Sequence, residues 1–383
     1  MKEPDFEALR REFPLLSHKT YLNSGSYAAL ANGVQAAFGA YLADRLSVGA
    51  DWDLWVDKNE SVRALTAALL HASAVEIAVT ASVSAGVNAL ASALDFSGPR
   101  NKVVVSDFEF PTIAQIWHAQ ERRGARVEHV HRGADGHIPL EHFAAAIDET
   151  TRLVAVTQVC YTNGARLDIP GIVRLAHARG AWVLLDCYQA AGSLAVDVKA
   201  LDVDFAAGGM AKYLLGTAGI GFLYVRGSLI PSLIPANSGW FAQADIGAMD
   251  ISANRPAPTA RRFEAGTPAV VNCYAAEAGL KILLAVGLPA IERRNYALSR
   301  RCMELLRDIG WPSITPLQDE CRGATVAIPS RDSGALCAEL KHRGIVTSHR
   351  ESKVRASFHF YNDAADVESL IGALRELRPR FMV

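Results

Sequence analysis

The sequence predicts an α/β fold, in which helices cover a mainly parallel β-sheet and a smaller α+β domain follows. The chain has 383 residues, which is more than one ordinary domain needs. Half of the residues are apolar, so a large core can form. Short apolar runs alternate with helical patterns, and strands that are apolar throughout are typical of a parallel sheet buried on both faces.

The elements of the large sheet can be read in order along the chain. Each predicted strand is a short apolar run bounded by turn residues, and amphipathic patterns between the runs predict helices. The predicted strands are residues 102–106, 153–159, 181–185 and 221–225, and two of the predicted helices are residues 113–123 and 169–179.

The pattern changes after residue 225. A proline-rich segment at residues 254–259 predicts a linker or loop. Long helical patterns follow at 271–284 and 288–309, and residues 324–377 read as strand, helix, strand, helix. We therefore predict a large domain at residues 21–260 and a small α+β domain with its connecting helix at 261–383. Residues 1–20 are predicted to be a helical segment that packs on the small domain.

Composition excludes several classes of function. The net charge is -1, so no basic excess indicates a nucleic acid or a membrane surface as partner. There is no signal peptide and no run of about 18 apolar residues, which predicts a cytoplasmic protein. Six scattered cysteines form no CxxC pair, so we expect free thiols and no metal site.

Polar residues follow the predicted strands, where open parallel sheets bind their ligands. Asp186 directly follows an apolar strand, and a carboxylate there needs a partner. It is either a helix N-cap or a group aimed at a cationic ring nitrogen. Lys212 follows a stretch of small residues, and burial would lower its pKa and make the amine a nucleophile. The alternative is a surface lysine at the end of a helix.

Two further features indicate anionic ligands. Ser82 and Ser84 precede the helical run 87–94, and hydroxyls at a helix N-terminus suit phosphate, although plain N-capping is common. Arg355 lies in a predicted strand, where it is either bound to a substrate carboxylate or part of a structural salt bridge. No G-x-G-x-x-G motif opens a helix after a strand, which excludes a nucleotide-binding dehydrogenase.

Taken in order, these residues resemble the fold-type I pyridoxal phosphate (PLP) enzymes of the class V aminotransferase group. That group includes cysteine desulfurases, kynureninases and isopenicillin N epimerase-like proteins. The resemblance covers nearly the whole chain and is most specific over residues 181–225, with Asp-x-x-Gln, Val-Asp-Phe, the lysine and Gly-x-Gly-Phe-Leu-Tyr. It implies a seven-stranded sheet, PLP as cofactor, an amino-acid substrate and a homodimer with shared active sites.

The resemblance also implies roles for individual residues. Lys212 would form the Schiff base, Asp186 would bind the protonated pyridine nitrogen and Gln189 the phenolic oxygen of the ring. Phe110 would stack on the ring. The remaining implied contacts are Ser84 with the backbone of Ala85 and Gly86 at the phosphate, Thr267 at the phosphate of the other subunit, Arg355 at the substrate carboxylate, and Tyr161, Asn23 and Trp240 elsewhere at the substrate.

Some positions depart from the family pattern. Gly209 and Ala211 stand where many relatives have a serine and a histidine on the phosphate, so other groups must hold it. The segment 347–355 contains no cysteine, and Cys337 lies upstream in a helical pattern, which disfavours a persulfide-forming desulfurase. Tyr161 and the Gly-Trp-Phe at 239–241 favour the kynureninase-like branch, with dimer packing as the alternative for the tryptophan.

The sequence therefore predicts a PLP enzyme that acts on an α-amino acid. The reaction is transamination or cleavage of a C–S or C–C bond in the β side chain, as in a cysteine-conjugate or C–S lyase. A kynureninase-like hydrolase or an epimerase is the alternative, because the lysine and the ring carboxylate are common to all these reactions. A non-catalytic PLP-binding relative is a remote alternative, supported by Gly209 and Ala211.

Overall fold

The computed structural model describes residues 3–383, which contain one large β-sheet, two small ones and the helices around them. The strands are β1 (Thr20–Tyr21), β2 (Ile77–Thr80), β3 (Lys102–Ser106), β4 (Arg126–Val130), β5 (Thr151–Thr157), β6 (Trp182–Asp186), β7 (Phe205–Gly209), β8 (Gly221–Val225), β9 (Thr325–Pro329), β10 (Ile345–Val346), β11 (Ser348–Arg350) and β12 (Lys353–Ser357). The α-helices are α1 (Phe6–Arg11), α2 (Asn32–Ser47), α3 (Trp52–Leu70), α4 (Val83–Ala93), α5 (Pro111–Ala119), α6 (Leu140–Ala146), α7 (Ile169–Ala178), α8 (Val270–Val286), α9 (Leu288–Asp308), α10 (Ser333–His342) and α11 (Ala364–Phe381).

The large sheet has seven strands in the order β2-β8-β7-β6-β5-β3-β4. Strand β8 is antiparallel to both of its neighbours, and every other neighbouring pair is parallel. Strands β3, β7 and β8 are buried along their whole length, β5 and β6 each have one half-buried residue, and the edge strand β4 is partly exposed. The predicted mainly parallel α/β sheet is thus confirmed.

Alternate residues of the central strands face two separate apolar cores, as the period of a β-strand requires. Val104 and Leu185 face a core that they share with helices α3, α7 and α8. Val105 and Leu184 face the other core, which helices α4 and α5 cover. The sheet is therefore enclosed by helices on both sides, and its accessible parts are its edges and the ends of its strands.

A third apolar core lies in the C-terminal part of the chain. It joins the antiparallel sheet β11-β12-β9 to helices α9, α10 and α11. Helix α8, by contrast, packs on α2 and α3 beside the large sheet. Near the N-terminus, Phe13 packs on Phe360 and Tyr361, and Arg10 pairs with Asp366. The boundaries at residues 20 and 260 stay predictions, because contacts in a folded chain do not show which parts fold alone.

Two further properties concern the whole described chain. Within residues 3–383, no single helix is long and apolar enough to cross a membrane, and α8 with α9 reach that length and composition only as a pair bent by 81°. In the same residues, no group of three or more His, Cys, Asp or Glu side chains is arranged to hold a metal ion. All six cysteines are free thiols.

Candidate active site

The candidate active site lies beyond the carboxyl ends of strands β5, β6 and β7. Asp186 is the last residue of β6, and Lys212 comes three residues after the end of β7. Phe110 directly precedes helix α5, whose first residue is a proline. The Nζ atom of Lys212 lies 5.6 Å from the ring centre of Phe110 and 4.0 Å from that of Tyr188. The topology of a parallel sheet thus brings together residues that are far apart in sequence.

Lys212 has an environment that favours the neutral amine. Burial lowers its pKa to about 8, the opposing charge of Asp186 limits the decrease, and the positive charges of Arg355 and Arg350 add to it. Two aromatic rings flank the amine, and they offer no hydrogen-bond acceptor for an ammonium group beyond their π faces. This lysine is therefore unlike a solvated surface lysine, and it can act as a nucleophile or a base near neutral pH.

Asp186 is buried, and it does not cap a helix. Its Oδ1 atom accepts a hydrogen bond of 2.8 Å from the amide of Tyr188. This bond lies within a turn, and none of the α-helices in residues 3–383 begins there. Burial raises the pKa of this carboxyl, while the Tyr188 amide and the charge of Lys212 partly offset the rise. The N-cap alternative is thus wrong, and the carboxyl group lies at the wall of a cavity.

Glu109 is a second buried carboxyl beside this site, and the sequence offered no role for it. Its Oε1 atom accepts hydrogen bonds from the Thr157 amide at 2.7 Å and the Ser106 hydroxyl at 2.9 Å. Its Oε2 atom is buried and has no partner in the part of the chain that the structure describes. Burial and the nearby charge of Asp186 raise the pKa of Glu109 well above its usual value. Its position before Phe110, at the end of a strand, was the only sequence signal.

A cavity of about 240 Å³ extends from Asp186 and Tyr188 to the N-terminus of helix α4. The capping residue of α4 is Ser82, whose hydroxyl accepts from the Ala85 amide at 3.0 Å and whose carbonyl accepts from the Gly86 amide. These two amides are therefore occupied within the helix. The amides of Val83 and Ser84 in the first helical turn have no intrahelical partner, and this end of the cavity is therefore suited to an anion.

Two predicted residues lie outside this cavity in their own chain. Thr267 is exposed and lines an adjoining space of about 100 Å³, together with Ala85 and Gly219. It does not cap helix α8, because the N-cap position is Ala269, which provides no side-chain hydrogen bond. Trp240 packs edge-on against Trp52, with 5.5 Å between ring centres, and lines a separate surface cleft. A single chain thus does not bring either residue to Lys212.

Arg355 is buried, with 1% of its surface exposed, and it has no anionic partner within residues 3–383. Its Nη1 atom donates to the Tyr161 carbonyl at 2.6 Å, and Nη2 donates to the hydroxyls of Ser26 and Ser348 at 2.9 and 2.8 Å. The Nε atom is buried without a partner. Burial lowers the pKa of Arg355 to about 10, and the charge of Arg350 adds to this effect. The salt-bridge alternative is therefore wrong.

Three other predicted residues are Tyr161, Asn23 and Gln189. The Tyr161 ring meets the Phe110 ring edge-on at 5.2 Å. The Oδ1 atom of Asn23 is buried and has no hydrogen-bond partner among residues 3–383, which leaves an acceptor for a ligand. The side-chain nitrogen of Gln189 donates to the carbonyl of Gly25 at 2.9 Å, so one of its two N–H groups stays available.

Comparison with known proteins agrees with this geometry. The model of the aminotransferase class-V family matches residues 53–370. The chain belongs to this family. An uncharacterized aminotransferase of Bacillus subtilis is 33% identical, over 95% of this chain and 96% of the relative. A kynureninase of Deinococcus radiodurans is 34% identical, over 89% of this chain and 85% of the relative. The solved cysteine desulfurase of Thermococcus onnurineus superposes with a TM-score of 0.88, at 26% identity over 98% of both chains.

Class-V enzymes use pyridoxal phosphate, and the cavity fits this cofactor. PLP requires an amine for its carbonyl carbon, a carboxylate for its ring nitrogen and donors for its phosphate. Lys212 supplies a largely desolvated amine, Asp186 a buried carboxylate, and the N-terminus of α4 a set of amides with the Ser84 hydroxyl. The resemblance to a PLP-dependent family is therefore confirmed, while the role of each residue stays a prediction.

Proposed function

We propose that this class-V protein is an enzyme that binds an α-amino acid through Arg355 and transforms it by transamination or by cleavage of its β side chain. The observation that carries the proposal is the buried guanidinium without an anionic partner. A buried charge without a counterion is costly, and a planar guanidinium can form two parallel hydrogen bonds with a carboxylate. An amino-acid substrate brings that carboxylate into the site.

Different residues of the chain have different roles around the cofactor. When bound, PLP supplies an electron sink for bonds broken at the α-carbon of the substrate. Asp186 holds a positive charge on the ring nitrogen, because a buried carboxylate favours the protonated form of its partner. Lys212, with a pKa of about 8, takes and returns a proton at the α-carbon. Arg355 fixes the carboxylate and thereby the direction of the bond that breaks.

Products distinguish the two reactions within this proposal. Transamination needs an added keto-acid acceptor and yields a new amino acid from it, whereas β-elimination releases ammonia and a keto acid without an acceptor. The family and the Bacillus subtilis relative support transamination. We would incubate the full chain and PLP with a panel of amino acids, with and without a keto acid, and measure ammonia, sulfide and keto acids. If no amino acid reacts, and Lys212→Ala behaves like the parent chain, the proposal is wrong.

A persulfide-forming desulfurase is a second candidate, because the Thermococcus onnurineus relative carries that name. The positions of the cysteine thiols in this chain disfavour desulfurase activity. Four cysteines are buried, and the hairpin β11-β12 that leads to Arg355 contains none. Cys337, on α10, is half-buried, its Sγ atom lies 3.4 Å from the Thr347 hydroxyl, and burial raises its pKa. A thiol that is hard to ionise is a poor nucleophile.

L-Cysteine as substrate separates the desulfurase from a C–S lyase. A desulfurase yields alanine and transfers sulfur to a protein thiol, whereas elimination yields pyruvate, ammonia and sulfide. We expect pyruvate rather than alanine, and equal rates for the parent chain and Cys337→Ser. Alanine formation that is lost in Cys337→Ser would establish the desulfurase instead.

We also infer that the enzyme is a homodimer with shared active sites. Large apolar side chains are exposed at the end of α2 and the start of α3, namely Leu42, Leu46, Val48 and Trp52. Contiguous exposed apolar residues mark protein interfaces, and Trp52 also contacts Trp240. The exposed Thr267 lies beside the space next to Ala85, so a second subunit could bring its own Thr267 near the phosphate end of this cavity.

A further inference from the structure

Tyr188 occupies the space that a side chain at position 209 would need. A Cβ atom placed on Gly209 would lie 2.4 Å from Cζ of Tyr188 and 2.5 Å from its hydroxyl oxygen. Carbon atoms of neighbouring side chains do not approach so closely, so residue 209 has to be glycine while Tyr188 holds this position. The missing serine of the family pattern and the presence of the tyrosine are therefore linked by one steric constraint.

The Tyr188 ring forms part of the wall of the cofactor cavity. It lies between Asp186 and Gln189 in sequence, and its ring centre is 4.0 Å from Nζ of Lys212. The same cavity is lined by Ser82 and Ser84 at the N-terminus of α4. Tyr188 thus lies beside the reactive lysine and lines the cavity that extends to the N-terminus of α4.

The hydroxyl of Tyr188 has a proton to donate and no acceptor for it. Within the described chain, the backbone amide of Ala211 lies beside the hydroxyl oxygen, and an amide is a donor that cannot accept the phenol proton. Burial and the charge of Asp186 raise the pKa of the phenol to about 12, so it keeps its proton at neutral pH. A half-buried phenol whose side chain lines a cavity is suited to donate to an anionic ligand.

We propose that the Tyr188 hydroxyl donates a hydrogen bond to the phosphate of PLP and takes the place of the side chains missing at Gly209 and Ala211. The phosphate of PLP is doubly charged and needs several donors in a partly dry site. The first turn of α4 supplies some of them, while Gly209 and Ala211 supply no side-chain donor. The hydroxyl of Tyr188 lies against both of these positions.

This proposal rests on PLP as the cofactor of the family and not on the reaction proposed above. Its test therefore uses affinity rather than turnover. The full chain is freed of PLP with hydroxylamine and titrated with PLP and, separately, with pyridoxal, which has the same ring and carbonyl group but no phosphate. Bound cofactor is measured from visible absorbance and from quenching of protein fluorescence.

Tyr188→Phe removes the hydroxyl and keeps the ring. A hydrogen bond to a charged group corresponds to roughly 10- to 150-fold in affinity. We expect the Kd for PLP to rise by that factor in Tyr188→Phe, while the Kd for pyridoxal stays the same. Tyr41→Phe, which removes a phenol hydroxyl from helix α2, is the matched control and should change neither value.

A second pair of variants tests the link between positions 188 and 209. Gly209→Ser alone should weaken PLP binding, because its Cβ atom collides with the Tyr188 ring. In the Tyr188→Ala background the same serine fits, and it should restore part of the affinity for PLP that Tyr188→Ala loses. An unchanged Kd for PLP in Tyr188→Phe, or an equal loss for PLP and pyridoxal, would overturn the proposal.

Discussion

The acidity of Lys212 can be measured from the rate at which the PLP-free protein takes up its cofactor. An ordinary lysine has a pKa near 10.5, and burial lowers that of Lys212 to about 8. At pH 7, roughly 9% of such an amine is neutral, against roughly 0.03% for an ordinary lysine, a ratio of about 300. Only the neutral amine attacks a carbonyl carbon. The rate of PLP incorporation should therefore rise with pH and level off above about pH 8.

Two charged neighbours should move this pH profile in opposite directions. The negative charge of Asp186 raises the pKa of Lys212, and the positive charge of Arg350 lowers it. Asp186→Asn should therefore shift the midpoint to lower pH. Arg350→Gln should shift it to higher pH, by a smaller amount, because Arg350 is exposed and water and salt screen its charge.

Stopped-flow absorbance in the visible range, recorded from pH 6 to 10, gives the rate directly. Lys212→Ala is the control, and it should show no PLP incorporation through a Schiff base at any pH. A midpoint near pH 10.5 in the parent chain would refute the environment described for the amine. Shifts of the same sign in Asp186→Asn and Arg350→Gln would show that the two charges do not act on Lys212 as the geometry requires.

Three other predictions concern the substrate, the cofactor and the assembly. Arg355→Lys should raise KM for the amino acid by roughly 10-fold or more and leave PLP retention unchanged, since lysine cannot form two parallel hydrogen bonds with a carboxylate; an unchanged KM would exclude the assigned role. Asp186→Asn should fold and lose about 2.7–4 kcal/mol of transition-state stabilisation, which is measured as a roughly 100- to 1,000-fold lower kcat; a wild-type kcat would leave Asp186 as a structural residue. Leu46→Asp, at an exposed apolar position of α2, should convert the dimer to a monomer in light scattering, whereas a parent chain that is already monomeric contradicts the shared site.

The strands that the sequence could predict are those rich in β-branched and large apolar residues. Strand β3 matches its prediction, and β5 and β6 are shifted by one or two residues. Strand β7 was missed because its residues, Phe-Ala-Ala-Gly-Gly, are mostly poor strand formers. It is nevertheless a central strand between β6 and β8, and its glycines leave space for the rings of Phe222 and Tyr188. Tertiary packing, which local propensity does not contain, decides this element.

The N-terminus of helix α4 is a second feature that local sequence patterns do not determine. Both Ser82 and Ser84 are good N-cap residues, and no pattern shows which of them begins the helix. In the structure Ser82 caps α4 and occupies the Ala85 amide, so Ser84 is the serine that stays available to a ligand. A shift of one or two residues in the start of a helix thus changes which amides can bind an anion.

The two buried carboxyls, Asp186 and Glu109, differ in how strongly their surroundings oppose a negative charge. Both are desolvated, and two adjacent carboxylates cannot both ionise cheaply in such a place. Glu109 has the more strongly raised pKa, since burial and Asp186 both oppose its charge, whereas Lys212 and the Tyr188 amide favour the charge of Asp186. Glu109 is therefore the more readily protonated of the two, and its Oε1 atom accepts from the Thr157 amide of strand β5. Because Glu109 follows strand β3 and Asp186 ends strand β6, only the fold shows that the two carboxyls are neighbours.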